Sequence, residues 1–432
     1  MDITIIGLGY VGLTMSVVLG SFYHNIIGYD TNKEKVATLK EGVSTIDETG
    51  VQVLLNEAKP YLRFTTNAKD AIRPNKIISI CVDTPVGKDK KVDLTHYYQA
   101  LDAIAENAIQ DTFVVIHSTV PPGTNRATKK YLESHSKYKF NVISNPEFIS
   151  QGNVIKNFVV PSRVVIGTES KEAEELVRKL VASVVDHKVP ILVTTPENAE
   201  IIKYASNAYL AMRIGYINEI SRICDVFDGD IEKVAIGVGL DPRIGTNYLK
   251  ASLGFGGSCL PKDLNVITNF EGASKCNLKI LPSINESNEI QIQHFIDKII
   301  SRFKSISHFK IAVLGLSFKG GTEDTRYSPA IPVVKALLDK YAEIYAYDPL
   351  AEDNFKKNFL RHTHIHYCDS IYSALNKADC CLILTDDSDF KQLTSVDFMV
   401  MSNKVVFDGR NLFKSEDLPG IEYHPIGKKA RK

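Results

Sequence analysis

Two stretches carry residue types and spacings that could do chemistry. In Ser252-Leu-Gly-Phe-Gly-Gly-Ser-Cys259-Leu-Pro-Lys262-Asp263 a cysteine sits in a glycine-rich loop, three residues before a lysine. A neighbouring ammonium favours the thiolate. A thiolate can add to an aldehyde carbon and form a covalent thiohemiacetal. The competing reading is a buried small hydrophobe, the usual fate of a free cysteine. The other six cysteines, Cys81, Cys224, Cys276, Cys368, Cys380 and Cys381, fit that reading. Lys203 and Asn207, four residues apart, share one face of a helix. Lysine can hold or move a proton and asparagine can donate to an oxyanion, although a solvated helix surface would have the same spacing.

These residues need elements to hold them. Asp2 to Ile6 is a β-branched run suited to a buried parallel strand. Gly7-Leu-Gly9-Tyr10-Val11-Gly12 follows, then a helical stretch over Leu13 to Tyr23 and a strand over Asn25 to Tyr29 closed by Asp30. The glycines suit a tight turn, a close approach of pyrophosphate, and close packing of helix on strand. The helix N-terminus offers N–H groups and its dipole to phosphates. Asp30 would accept from an adenosine ribose and repel a 2′-phosphate, so NAD is expected over NADP. Ile3 to Gly20 is uncharged and long enough to suggest a membrane span, but the glycine spacing explains it better. No basic segment precedes it, which argues against a signal peptide.

Further strands end in polar residues. Asn75 to Val82 runs into Asp83-Thr84-Pro85, Thr112 to His117 into Ser118-Thr119, and Phe140 to Ser144 into Asn145-Pro146-Glu147-Phe148. Ligands of open α/β sheets sit beyond such strand ends, so Thr84, Thr119 and Glu147 are candidates for the cofactor and substrate side. Each could equally be a turn or cap residue. Arg163 to Gly167 and Val189 to Val193 are two more expected strands. Thr195-Pro196 then reads as the start of a helix reaching about Phe227, roughly 45 Å long at 1.5 Å per residue. Asp230 to Val238 is a second helix. From Lys310 the first pattern returns: strand, Gly315-Leu-Ser-Phe-Lys-Gly320, a helix over Pro329 to Tyr341, and a strand over Glu343 to Tyr347 closed by Asp348. Without the full glycine fingerprint, this copy is not expected to bind a second dinucleotide. Strands over Ala378 to Leu384 and Lys404 to Phe407 complete it.

The expected fold is α/β: two doubly wound Rossmann-like domains, 1–195 and 301–432, joined by a long central helix in a helical middle domain, 196–300. The 432 residues carry 51 basic and 51 acidic side chains, with no basic surplus to coat a nucleic acid. The basic run is confined to the last five residues, Lys428 to Lys432, and reads as a solvated tail. An odd cysteine count with irregular spacing indicates no disulfide framework, and no His/Cys group has metal-ligand spacing. Reduced thiols and no targeting signal point to the cytoplasm and away from membranes.

The glycine turn, Asn145-Pro-Glu-Phe148, Lys203 with Asn207, Gly256-Gly-Ser-Cys-Leu-Pro-Lys-Asp263, and Phe318-Lys319 with Arg326 occur in order from Ile3 to Arg410. Together they resemble the UDP-glucose/GDP-mannose dehydrogenase family. The resemblance implies oxidation of a sugar-nucleotide C6 alcohol to a carboxylate with two NAD, through a thiohemiacetal and thioester on Cys259. It implies that Lys203 stabilises charge on the C6 oxygen, Asn207 hydrogen-bonds that oxygen or a water, and Asp263 organises Lys203 and a water. Glu147 would be the acid/base of thioester hydrolysis, with Thr119 positioning water or cofactor. The cofactor side would include Gly7, Gly9, Tyr10, Val11, Gly12, Asp30, Lys35, Thr84, Pro85, Ser118, Gln151, Lys262 and Arg326. Tyr248, Leu249, Lys250, Ser252, Phe255 and Gly256 would line the uridine site beside Phe148. Phe318, Lys319 and Arg410 would take the phosphates and sugar. Arg243 would reach the substrate of a second subunit, which requires a homodimer.

Arg243-Ile-Gly followed by Tyr248 to Cys259 most resembles the members that act on UDP-glucose, making UDP-glucuronate for polysaccharide biosynthesis. The alternatives are the same oxidation of GDP-mannose or a UDP-N-acetylhexosamine, a single-oxidation hydroxyacid dehydrogenase, and a non-catalytic binder. Gln151 stands where the family commonly has glutamate; an amide can hydrogen-bond but cannot act as a base.

Overall fold

A computed structural model describes residues 1–87, 91–270, 272–359 and 362–431. The chain divides into two compact units, Met1–Ser206 with Asn269–Gly272, and Asn207–Thr268 with Ala273–Lys432.

The first unit is built on β1 (Asp2–Ile6), β2 (Asn25–Tyr29), β3 (Leu62–Thr65), β4 (Ile77–Ile80), β5 (Thr112–Ile116), β6 (Phe140–Ser144), β7 (Val164–Gly167) and β8 (Ile191–Thr194). Their order is β3-β2-β1-β4-β5-β6-β7-β8. β1 to β6 pair in parallel, and β7 meets β6 antiparallel at Ser144 and Gly167. This is the doubly wound order, whose chain reversal lies between β1 and β4. Ile3, Ile5, Ile78, Ile80, Val114 and Ile116 are buried, as strands covered on both faces require.

The second unit contains β9 (Lys310–Leu314), β10 (Glu343–Tyr347), β11 (Ile365–Tyr367), β12 (Cys380–Ile383), β13 (Val405–Asp408) and β14 (Glu422–Pro425). They form one parallel sheet in the order β11-β10-β9-β12-β13-β14. The helices before it have a small cluster of their own, Ala208, Ala211, Phe255, Leu264 and Ile284, and also join the core of the sheet. Ile217, Leu253, Phe295 and Ile299 share one buried cluster with Ile311, Val313 and Leu337 of the second sheet region.

The long helix runs Pro196–Val226, 31 residues, with Thr195 Oγ1 accepting from the Asn198 N–H. It ends where Asp228 takes a positive φ. The next helix, Ile231–Gly239, is capped by Asp230 through the Glu232 N–H.

Four expectations need correcting. The first helix begins at Tyr10, not Leu13, because Gly9 caps it and its carbonyl accepts from the Leu13 N–H. β3, β11 and β14 were not anticipated: they are short edge strands that carry little pattern of their own. The basic C-terminal run is not a solvated tail. Lys428 pairs with Glu232, Lys429 with Asp228, and the Gly427 carbonyl accepts from the Ile231 N–H. Its last residue lies outside the described residues. Cys276 is exposed rather than core, whereas Cys81, Cys224, Cys368, Cys380 and Cys381 are buried. No helix among the described residues is long and apolar enough to cross a membrane.

Candidate active site

In the first unit the glycine turn joins β1 to the helix Tyr10–Ser21. A Cβ on Gly12 would fall 1.8 Å from the Gly7 carbonyl oxygen, so only glycine lets this helix pack on the turn. A Cβ on Gly9 would meet nothing within 4 Å. The open side is therefore at Gly9, at the helix start. That cap supplies no side-chain hydrogen bond, and the first turn holds no acidic residue to repel a phosphate. Asp30 accepts from the Leu8 and Asn32 N–H groups and from Lys35 Nζ at 3.1 Å. Burial raises its pKa, but the two N–H groups and Lys35 outweigh burial and hold it below the usual carboxylate range. A carboxylate kept ionised beside an open helix start fits an NAD adenosine.

The strand ends converge on one side of this sheet. Thr84 Oγ1 donates to the Thr119 carbonyl at 2.7 Å, and Ser118 Oγ donates to the Val82 carbonyl at 2.7 Å, tying the loops after β4 and β5 together. Pro85 follows Thr84 in the same loop. After β6, Asn145 Nδ2 donates to the Val165 carbonyl. Glu147 Oε2 accepts from the Ile149 N–H, and Glu147 Oε1 lies 2.9 Å from Lys203 Nζ. Lys203 also donates to the Glu147 carbonyl at 2.6 Å. The side chains of this pair are 5% and 15% exposed. The Phe148 ring carries the Arg163 guanidinium 3.8 Å from its centroid, and Arg163 donates to Ser206 Oγ. Gln151 lies in a turn whose Gly152 N–H is held by Glu48. Thr119, Ser144, Pro146, Glu200 and Lys203 line a small pocket.

In the second unit, Cys259 is exposed at the start of the helix Leu260–Asn269, its carbonyl accepting from the Asp263 N–H. A helix N-terminus favours an anion, so the position suits a thiolate. Burial instead pushes the Cys81, Cys380 and Cys381 thiols up and out of use as nucleophiles. Asp263 is buried and accepts from Asn207 Nδ2 and Lys262 Nζ, both at 2.6 Å.

The loop before Cys259 is held from behind. The Phe255 N–H and carbonyl both bond to the Asn288 amide. The Ser252 N–H donates to Asn218 Oδ1, and its carbonyl accepts from Gln291. Leu249 and Phe255 place their side chains in the core, whereas Tyr248 and Lys250 are exposed. Gly257 packs against the Phe318 ring, and its N–H donates to the Arg326 carbonyl. Arg326 is braced on Asp324. Lys319 Nζ lies 5.8 Å from the Phe318 ring centroid. Buried Arg410 donates to the carbonyls of Leu384, Gly254 and Phe318. Its guanidinium thus holds the Gly254 and Phe318 loops together. Arg243 is exposed and paired with Asp241. The Ile244 and Gly245 carbonyls next to it are held by Arg213.

The chain matches the model of the UDP-glucose/GDP-mannose dehydrogenase family over all three of its parts: the NAD binding domain at residues 1–185, the central domain at 197–290 and the UDP binding domain at 312–415. The chain belongs to this family. A UDP-glucose 6-dehydrogenase of Rickettsia felis is 37% identical over 435 residues, covering 99% of this chain and 97% of that one. A UDP-glucose 6-dehydrogenase of Bacillus subtilis is 37% identical over 438 residues, covering 99% and 93%. The solved UDP-glucose dehydrogenase of the archaeon Pyrobaculum islandicum superposes with a TM-score of 0.91 at 31% identity, covering 99% and 98%. As a member of this dehydrogenase family, the chain is an NAD-dependent oxidoreductase.

Sequence reasoning did not single out Glu200 and Arg163, which contact the strand-end loops of the first unit, or Asn218, Asn288 and Gln291, which brace the Cys259 loop of the second. Only Glu200 had a signal, since it lies three residues before Lys203 and so on nearly the same helix face. The others act through contacts between elements distant in sequence.

Proposed function

We propose that this chain oxidises UDP-glucose to UDP-glucuronate in two successive steps, with Cys259 holding the intermediate. The observation that carries the reading is the exposed Cys259 thiol at a helix start, in a loop braced by Asn288, Asn218 and Gln291. The choice of UDP-glucose is supported by the full-length relatives of that name and by the Arg243-Ile-Gly lead-in.

In the first step the C6 alcohol loses a hydride and a proton and becomes an aldehyde. Bound NAD supplies the hydride acceptor for each oxidation. Cys259 Sγ adds to the aldehyde carbon while the oxygen gains a proton, giving a thiohemiacetal. Loss of that proton and a second hydride gives a thioester. Water then adds, the carbon–sulfur bond breaks, and the carboxylate leaves with the thiol restored. A covalent adduct keeps the aldehyde from escaping between the two oxidations. In this scheme Lys203 stabilises charge on the C6 oxygen, and Asn207 hydrogen-bonds the same oxygen or a water. Asp263 organises proton transfer, Glu147 is the acid/base of hydrolysis, and Thr119 positions water or cofactor. Gln151 takes no proton.

We assign residues 1–195 to NAD, 196–300 to the cysteine loop and dimer face, and 301–432 to the UDP part of the substrate. Tyr209, Tyr216, Ile223 and Phe227 recur at near-heptad spacing on the long helix and its end, and are 54%, 51%, 51% and 79% exposed. This stripe supports a homodimer, and Tyr216→Glu should yield monomers in sedimentation. An exposed Cys259, with no disulfide among the described cysteines, suits a reducing, cytoplasmic setting.

The test is to count NADH formed per limiting UDP-glucose with NAD in excess. Two per sugar is expected. None with UDP-glucose, but two with GDP-mannose or a UDP-N-acetyl sugar, would move the substrate and keep the chemistry. One per sugar would end the thioester reading.

A further inference from the structure

We infer that Glu200 is a positioning residue for this reaction: reaching from the long helix, its carboxylate holds the Thr119–Gly123 loop and the start of the helix Thr124–His135 at the wall of the pocket lined by Thr119 and Lys203. The inference rests on the reading above, in which Thr119 and Lys203 act on the substrate or cofactor.

The geometry is specific. Gly123 caps the helix Thr124–His135 at a positive φ and has no side chain with which to satisfy its first N–H groups. Glu200 does this from far along the chain. Its Oε2 accepts from the Gly123 N–H at 2.6 Å, and its Oε1 accepts from the Asn125 N–H at 2.8 Å. Ser144 Oγ, at the end of β6, lies 3.4 Å from the same Oε1 and accepts from Asn125 Nδ2. Glu200 is 4% exposed, yet it lines the pocket with Lys203, one turn further along the helix. One side chain therefore connects the loop bearing Thr119, the end of β6 that leads to Glu147, and the helix bearing Lys203.

The tether depends on charge. A carboxylate accepts strongly from both N–H groups, whereas in a carboxylic acid one oxygen becomes a hydroxyl, a donor and a much weaker acceptor. Burial, with Glu197 nearby, pushes the Glu200 pKa up to about 7, against the lowering effect of the Asn125 and Gly123 N–H groups and Ser144. The charged and titratable groups around it are otherwise engaged. Glu197 on its own helix and Glu169 hold Arg126 of the helix Thr124–His135. Lys203 is paired with Glu147. The Tyr97 hydroxyl of the helix Thr95–Asn107 is bonded to Thr128. The two N–H bonds lower the pKa relative to a Glu200 that stays buried without them. Within the folded state, protonation below about pH 7 therefore weakens these bonds and the hold on the Thr119 loop, even though it does not expose the carboxyl.

The experiment uses the full-length protein in two measurements. In the first, NADH production from UDP-glucose is followed from pH 6 to 8 for wild type, Glu200→Gln and Glu200→Asp. The wild type should lose kcat toward acid. Glu200→Gln should have kcat about tenfold lower at pH 8, with that acid limb flattened and the KM for UDP-glucose nearly unchanged. Glu200→Asp, charged but shorter, should keep the limb at reduced kcat. An unchanged kcat and limb in Glu200→Gln would overturn the proposal. In the second measurement, amide exchange of wild-type Gly123 and Asn125 should lose protection between pH 8 and 6. Constant protection factors would overturn it even if the variants do not fold. If the wild type makes no NADH from any sugar nucleotide, the functional reading fails, while amide protection still tests the tether.

Discussion

Lys203 Nζ lies 2.9 Å from Oε1 of Glu147 and 2.6 Å from the carbonyl oxygen of the same residue. One lysine thus fixes both the side chain and the backbone at the end of β6. It reaches there from a helix that starts more than fifty residues later in the chain. A buried ion pair is costly to break on one side, because the partner is left charged without compensation.

Removing the ammonium should therefore cost stability as well as activity. Lys203→Ala is expected to destabilise the protein by about 3 kcal/mol and to abolish NADH production. The double variant Lys203→Ala with Glu147→Ala should be less destabilised than the two single losses added together. Urea unfolding of the four proteins would measure this coupling, and strict additivity would contradict it.

Cys259 is expected to be needed for the carboxylate and not for the fold. Cys259→Ser should keep the melting temperature of the wild type, since the side chain is exposed. It should lower the rate of carboxylate formation on the order of a thousandfold. Steady-state NADH assays with product analysis would show this, and a variant that still formed UDP-glucuronate at the native rate would refute the covalent scheme.

Gly257 has φ +85, and a Cβ there would fall 2.7 Å from the Phe318 ring. Gly257→Ala should cost about 1–3 kcal/mol and push Phe318 away from the Cys259 loop. Calorimetry should find UDP binding weakened in this variant but NAD binding nearly unchanged, because the NAD turn lies in the other unit.

Arg302 hydrogen-bonds hold Glu422 down to a pKa of about 2 from 4.5, against burial and with help from His424. A lowered carboxylate pKa stabilises the folded state above the unfolded value, so this contribution is present above about pH 4.5 and is lost as pH falls toward 2. Arg302→Ala should shrink the gap between stability at pH 7 and at pH 3, as read by thermal melts. Arg302 is partly exposed, so solvent screening keeps the effect modest.

Much of the scaffold was legible from local pattern. β1, β2, β6, β9 and β10 occupy the expected residues. β1 and β9 are buried along almost their whole length and read as continuous apolar runs, whereas β2 and β10 alternate buried with half-buried residues. The cap at Thr195, the helix through Lys203 and Asn207, and the cap at Asp230 were equally local. The short edge strands and the pinned C-terminal run were not, since each depends on a partner distant in sequence. The same holds for Asn288, which clamps Phe255 from 33 residues away, and for Glu200, which caps a helix 75 residues before it.

The two glycine turns mark where sequence stops and tertiary structure begins. Sequence alone determined that Gly7 and Gly315 each start a turn after a strand and that Asp30 and Asp348 each close the next strand. Both turns fold alike. The Gly7 N–H donates to the Tyr29 carbonyl and the Gly315 N–H to the Tyr347 carbonyl, while Leu8 and Leu316 donate to the two aspartates. Tertiary structure gave the aspartates different surroundings. Asp348 is buried and filled by the N–H groups of Leu316, Ser317, Leu350 and Ala351 and by the Ser317 hydroxyl. Asp30 has fewer such donors, stays partly open and keeps Lys35 at its edge. A carboxylate whose lone pairs are already satisfied in the core has nothing to offer a ribose. The number of backbone donors that reach it depends on how the following loop packs, which the spacing of glycines and acids does not encode.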